Sequence, residues 1–169
     1  CIRDRLWQGW LLAQPEPDDQ LSLLECSFSS VSLHPYYPFS PGDSKLLIGE
    51  EDGEVISVKW EVLSETKTIS FSVLGEPKEV VCAIIREEER ADGALTEISL
   101  NYFAQCQTSG SVYYFGEDVD IYENGQVVGH DGAWIAGEGL NHPGVIMPGT
   151  LLIGEVYFQE FSPGMAEDI

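Results

Sequence analysis

The chain predicts a mainly β fold: an antiparallel meander forming a barrel, half-barrel or sandwich, preceded by an irregular N-terminal arm. Three observations carry that expectation. Asp52-Gly53, Asp92-Gly93 and Asn124-Gly125 each stand between two apolar runs. Both residues of such a pair tolerate positive φ, which a two-residue hairpin turn requires. Apolar residues also recur at every second position, as in Ile56, Val58, Trp60 and Val62, then Ile69, Phe71 and Val73; this is the period of a half-buried strand. Finally, nothing between residues 45 and 130 repeats at the helical period, and turn signals recur at the short spacing of small all-β domains.

In chain order, residues 1–12 carry Trp7 and Trp10 and end on Leu11-Leu12, which fits a short amphipathic turn or an arm that docks on a sheet or a neighbour. The proline- and acid-rich residues 14–19 break regular structure. Residues 21–31 are apolar and serine-rich, a short-strand candidate. Residues 34–42 hold Pro35, Pro38 and Pro41, each fixing φ and removing a donor, so this stretch is an ordered extended connection rather than a ladder strand. The arm and connector thus cover residues 1–33, and one antiparallel β domain covers residues 34–169. Strands are expected at 45–49 and 55–63 around Asp52-Gly53, and at 68–74, closed by Gly75-Glu76-Pro77. Two longer strands, 78–88 and 95–107, flank Ala91-Asp92-Gly93. The most ordered stretch is 111–134, where 118–123 and 126–129 are the arms of a tight hairpin at Asn124-Gly125. Residues 137–150 form a long Gly- and Pro-rich loop, a place where function concentrates. Residues 154–161 alternate again as a last strand.

Charge and cysteines narrow the setting. With 29 acids against 8 bases the formal net charge is -21. Such a chain repels phosphate backbones and anionic lipid, which excludes nucleic acid as a partner. A hydrophobic content of 43% excludes wholesale disorder. No apolar run approaches the ~20 residues of a membrane-spanning helix. Cys1 opens the chain as in an exported lipoprotein, making it a candidate lipid anchor, although Ile2 to Trp7 do not read as a flexible tether. Cys1, Cys26, Cys82 and Cys106 show no C-x-x-C spacing, against zinc ribbons and redox motifs. Their even number fits an oxidising, extracytoplasmic compartment. The expected bridges are Cys82–Cys106 across adjacent strands and Cys1–Cys26. A two-residue turn at Asp92-Gly93 sets Cys82 opposite Phe103, so the first bridge also needs a register shift.

Candidate chemistry is sparse. Glu117, Asp118 and Asp120, with Glu123, put carboxylates at a hairpin entry, the oxygen donors that Ca²⁺ prefers. Strand alternation sets Asp118 and Asp120 on one face and Glu117 on the other. His130, Asp131 and His142, with Glu138, offer the nitrogen and oxygen donors of a Zn²⁺ site. No nucleophile elbow is present and no catalytic residue is assigned. No cofactor is expected beyond Ca²⁺ at the first cluster. Tyr113, Tyr114, Phe115, Trp134 and Phe158 either line a ligand cavity or, as such rings more often do, fill the core.

Several segments in order, His34 to Gly42, Asn101-Tyr102-Phe103-Ala104-Gln105, Val112 to Asp118, Tyr122-Glu123-Asn124-Gly125, Gly132-Ala133-Trp134 and Pro163 to Asp168, resemble a widespread family of uncharacterised exported bacterial proteins. That family carries N-P-Y-F-P-L-x-P-G, W-Y-A-Q-D, Y-F-G-E-D and Y-E-N-G segments. The likeness spans roughly residues 34 to 168; Cys82, Cys106, His130 and His142 depart from the pattern. It implies an exported, lipoprotein-like β domain and no particular chemistry. It also implies further C-terminal strands in relatives, so that an open sheet edge is expected here. The function these readings predict is a non-catalytic extracytoplasmic β domain: a structural or accessory subunit of an envelope or extracellular assembly, or a binding module. Its partners would be other protein subunits, a second copy or a membrane-complex neighbour among them. The alternative is a Ca- or Zn-dependent enzyme, or a Ca-stabilised hydrolase, using the loop 129–147.

Overall fold

The computed structural model describes residues 22–154, 156–160 and 162. The expectations for the arm, for Cys1 and for residues 163–169 lie outside the described residues. Hairpin turns lay out the rest. Asp52-Gly53, Asp92-Gly93 and Asn124-Gly125 all have positive φ at both positions, as expected. A fourth turn has the same geometry at Leu74-Gly75, where Leu74 takes φ 52°. A leucine in that region costs roughly 1–2 kcal/mol for its Cβ, which is why this turn escapes a composition rule.

The turns join β2 (Ser44–Glu51), β3 (Glu54–Val73), β4 (Glu76–Ala91), β5 (Ala94–Cys106), β6 (Val112–Glu123) and β7 (Gln126–Gly129), preceded by the two-residue β1 (Phe28–Ser29). They pair antiparallel in chain order from β2 to β7. β1 adds to β5, while β8 (Trp134–Ile135) and β9 (Gly144–Met147) add to β6. The fold is mainly β and antiparallel, and among the described residues the sheet does not close into a barrel.

It does bend. β3 joins the two expected strands 55–63 and 68–74 into one, with an irregularity where Val62 pairs Ile85 but Thr66 pairs Ala83. The extra residues on one strand kink the ladder and increase its twist. Past the kink Ile69, Phe71 and Val73 turn to the face that also carries Val80, Cys82, Tyr102 and Tyr113, all buried. Phe71 meets Phe115 at 5.7 Å between ring centroids, although β4 and β5 separate their strands in the sheet. Trp60 and Val62, before the kink, and Ile85, Phe103 and Tyr114 bury the opposite face. The core therefore draws on both faces of the sheet. The extended connection 34–42 covers this second face: Phe39 is 1% exposed, and Tyr37 and Phe39 pack on Phe103.

The connector before it belongs to the core. Within the expected short-strand stretch 21–31, residues 22–25 form one helical turn and the strand itself is only β1, and Leu23, Cys26 and Ser32 are buried. Lys78 Nζ donates to Leu24 O at 2.8 Å and Cys26 O at 2.9 Å, satisfying carbonyls that the helical turn leaves open. This docking corrects the expected bridge. Cys106 bonds Cys26, with Cα atoms 5.5 Å apart, and Cys82 is a buried free thiol. The reason is register. β4 leaves β5 after Ala83↔Phe103, and β1 takes the vacated edge with Phe28↔Cys106. Cys82 instead sits opposite Lys67 in β3. Near the C-terminus, the described residues of the expected strand 154–161 are irregular; Val145 N donates to Phe158 O at 2.7 Å. The strand in this region is β9, inside the expected long loop.

Candidate functional site

One glycine builds the most unusual cluster of the molecule. Residues 114 and 117 are three apart and would face opposite ways in a regular strand. The ladder between β5 and β6 shifts between Asn101↔Glu117 and Phe103↔Tyr114, leaving one extra residue on β6. Gly116 absorbs it at φ 122°, where an added Cβ would lie 2.2 Å from Trp134 O. Only glycine fits. Tyr114 and Glu117 consequently share a face, with Asn101 opposite them on β5.

The polar atoms form a chain. Tyr114 Oη donates to Asn101 Oδ1 at 2.5 Å, and Asn101 Nδ2 donates to Ser99 Oγ at 2.9 Å. Glu117 lies against Tyr114, and Glu160 adds a second carboxylate from the segment that passes over β9. That segment is pressed close: a Cβ on Gly144 would stand 2.1 Å from Gln159 O. Glu87 and Glu97 continue the acidic row along β4 and β5, beside Glu89. Burial pushes the Glu117 carboxyl up to about 7, aided by the charge of Glu160. Burial raises Glu87 too, reinforced by Glu97 and Glu89, and raises Glu97, reinforced by Glu89. Burial also raises the Tyr37 and Tyr114 hydroxyls, so both stay neutral. Trp134, 3% exposed and opposite Glu117 on β8, has an indole N–H without a hydrogen-bond partner among the described residues. The cluster can hold a proton near neutral pH; perturbed carboxyls of this kind mark functional sites more often than chance.

The sequence-predicted donors fall elsewhere. Asp118 accepts from Tyr102 Oη and lies 3.7 Å from Lys67 Nζ on the opposite face to Glu117. Asp120 Oδ1 is 3.0 Å from His130 Nδ1, which also lies 2.7 Å from Val119 O. Asp131 is exposed, and burial lowers His142. Among the described residues no three His, Cys, Asp or Glu side chains come together as a metal-binding group. Tyr113, Tyr114, Phe115 and Trp134 fill the core, in ring contacts from 4.6 to 6.5 Å, rather than lining a cavity.

The second feature is an edge. All eight residues of β2 are exposed, and Leu46, Leu47 and Ile48 expose 65%, 58% and 69% of their surface. Leu47, Gly49, Ile56 and Val58 line an open groove there, bounded by Glu50 and Glu51. The opposite edge, β7, is only four residues long. No described helix is long and apolar enough to cross a membrane. No family model matches the chain, and neither a curated protein nor a solved structure is similar to it.

Proposed function

We propose that this is a non-catalytic, extracytoplasmic β domain that serves as a structural or accessory subunit of an envelope or extracellular assembly, or as a binding module. The observation that carries the reading is the β2 edge. Three consecutive large apolar residues stand exposed on a strand that lies at the sheet edge, with no further strand beside it among the described residues. Natural proteins cover, shorten or charge such edges because they template pairing with another chain. The Cys26–Cys106 bridge supports an oxidising compartment, since cytosolic thiols are kept reduced. The net charge of -21 favours protein partners over nucleic acid or anionic lipid. Mild cross-linking in the native source followed by purification should recover the chain bound to protein partners through β2. Recovery of the chain alone, with the Leu46, Ile48 and Glu50 amides freely exchanging, would refute the reading.

The alternative, a Ca- or Zn-dependent enzyme on the loop 129–147, has one observation in its favour: the close Asp120–His130 pair. Melting in the presence of Ca²⁺, Zn²⁺ or EDTA tests it. A shift abolished by His130→Ala supports the metal site, and an indifferent melting point removes it.

A further inference from the structure

The β2 edge is complementary to itself, and we propose that two copies of this chain pair antiparallel through β2, centred on Ile48. The inference deepens the assembly reading and rests on it. Backbone geometry comes first. A two-residue turn closes on a hydrogen-bonded pair, here Glu51↔Glu54, and such pairs alternate along the ladder. Gly49, Leu47 and Lys45 therefore direct their N–H and C=O groups to β3. Ser44, Leu46, Ile48 and Glu50 turn theirs outward. Antiparallel pairing of two identical edges about a two-fold axis normal to the sheet keeps each face continuous, so a residue meets only same-face residues of the second copy. The symmetric registers are then centred on single residues.

Charge chooses among them. Centred on Leu47, Asp43 falls opposite Glu51 of the second copy, which sets like charges together twice. Centred on Ile48, Lys45 falls opposite Glu51, and symmetry makes that pair twice. Ile48 then meets Ile48, and Leu47 lies over Gly49 of the second copy. That last contact fits. Nothing stands within 4 Å of the Cβ position of Gly49, and Gly49 floors the groove lined by Ile56 and Val58. Leu47 of the second copy fills the space that the absent side chain leaves. Lys45 is already oriented, its ammonium 4.2 Å from the Trp60 ring centroid, on the face that Glu51 shares. The opposing term is repulsion between two bodies of charge -21, which salt screens beyond ~8–10 Å. Pairing should therefore strengthen from low to physiological ionic strength.

Sedimentation velocity of the full chain across a concentration series tests the proposal, with charge-swapped variants as its specific arm. The wild type should form a dimer, and K45E and E51K should each weaken it by roughly tenfold or more. An equimolar mixture of K45E and E51K should restore dimer, because both pairs are then of opposite sign. In a Cys1→Ser background, Ile48→Cys should form an intermolecular disulfide and Leu47→Cys should not. A chain that stays monomeric at every concentration overturns the proposal. So does a dimer indifferent to both charge swaps, or one cross-linked through Leu47→Cys and not through Ile48→Cys. A monomer that nonetheless binds a different native subunit through β2 overturns self-pairing and leaves the assembly reading standing. A monomer whose β2 binds nothing overturns both.

Discussion

At the scale of single residues, Glu117 is a carboxyl whose chemistry departs far from its type. Its folded pKa, about 7, exceeds the ordinary carboxyl value. The folded state therefore binds the proton more tightly than the unfolded state. Its stabilising contribution is complete below about pH 4.5 and is lost as pH rises toward about 7. At about 1.4 kcal/mol per pKa unit, the loss is on the order of 3 kcal/mol before solvent screening reduces it. Thermal melting should accordingly be higher near pH 5 than near pH 8, the reverse of ordinary carboxylates. Glu117→Gln should flatten that dependence and raise the melting point at the alkaline end; an unchanged slope would refute the assignment. Gly116→Ala should disrupt the same cluster, because its Cβ collides with backbone and no side chain can yield. We expect a loss of about 3 kcal/mol or more by denaturant unfolding, and a wild-type midpoint would disprove the bulge. Sequence alternation correctly separated Asp118 and Asp120 from Glu117. It could not join Tyr114 to Glu117, since one extra residue on β6 inverts the alternation beyond it. The available signal was Gly116 itself, an isolated glycine between Phe115 and Glu117 in a strand pattern.

At the scale of elements, hairpins were legible and additions to the sheet were not. Asn124-Gly125 declares its turn through residues that accept positive φ, and β6 and β7 end beside it where expected. Gly125→Val should destabilise by on the order of 1 kcal/mol, because a β-branched residue resists the φ of 75° seen there. An unchanged melting point would place the turn elsewhere. β1 and β9 are only two and four residues long and pair with strands distant in sequence, so the short-strand candidate 21–31 did not reveal its partner and β9 fell inside an expected loop. Missing the pairing of β1 with β5 is what misassigned the disulfide. The Cys26–Cys106 bridge spans 80 residues and fastens the connector to β5. Its reduction should cost roughly 2–5 kcal/mol. Burial raises the Cys82 thiol, so Cys82 should resist alkylation in the native state and react on unfolding. Mapping that finds Cys82 in a disulfide would contradict this arrangement.

At the scale of the whole molecule, composition and period predicted the fold class, while the shape came from irregularities. The kink near Val62 curls the sheet until Phe71 meets Phe115, and this divides the core between two faces. Strand count and alternation hold no information about such a kink, which is why barrel, half-barrel and sandwich were equally open. The same holds for the edge. The expected open edge at the C-terminal side falls on residues outside those described, and the long exposed edge among the described residues is β2, near the start of the domain. The charge of -21 keeps unpartnered molecules apart, and the apolar strip on β2 works against that repulsion. The central claim is that this edge is covered when the protein works in an assembly. Amide hydrogen exchange along β2, comparing assembled material with dilute isolated chain, measures that coverage residue by residue. The amides of Leu46, Ile48 and Glu50 point away from β3 and should exchange rapidly in the isolated chain and slowly in the assembly. Those of Lys45, Leu47 and Gly49 should be protected in both. Rapid exchange at Leu46, Ile48 and Glu50 in assembled material would contradict the account.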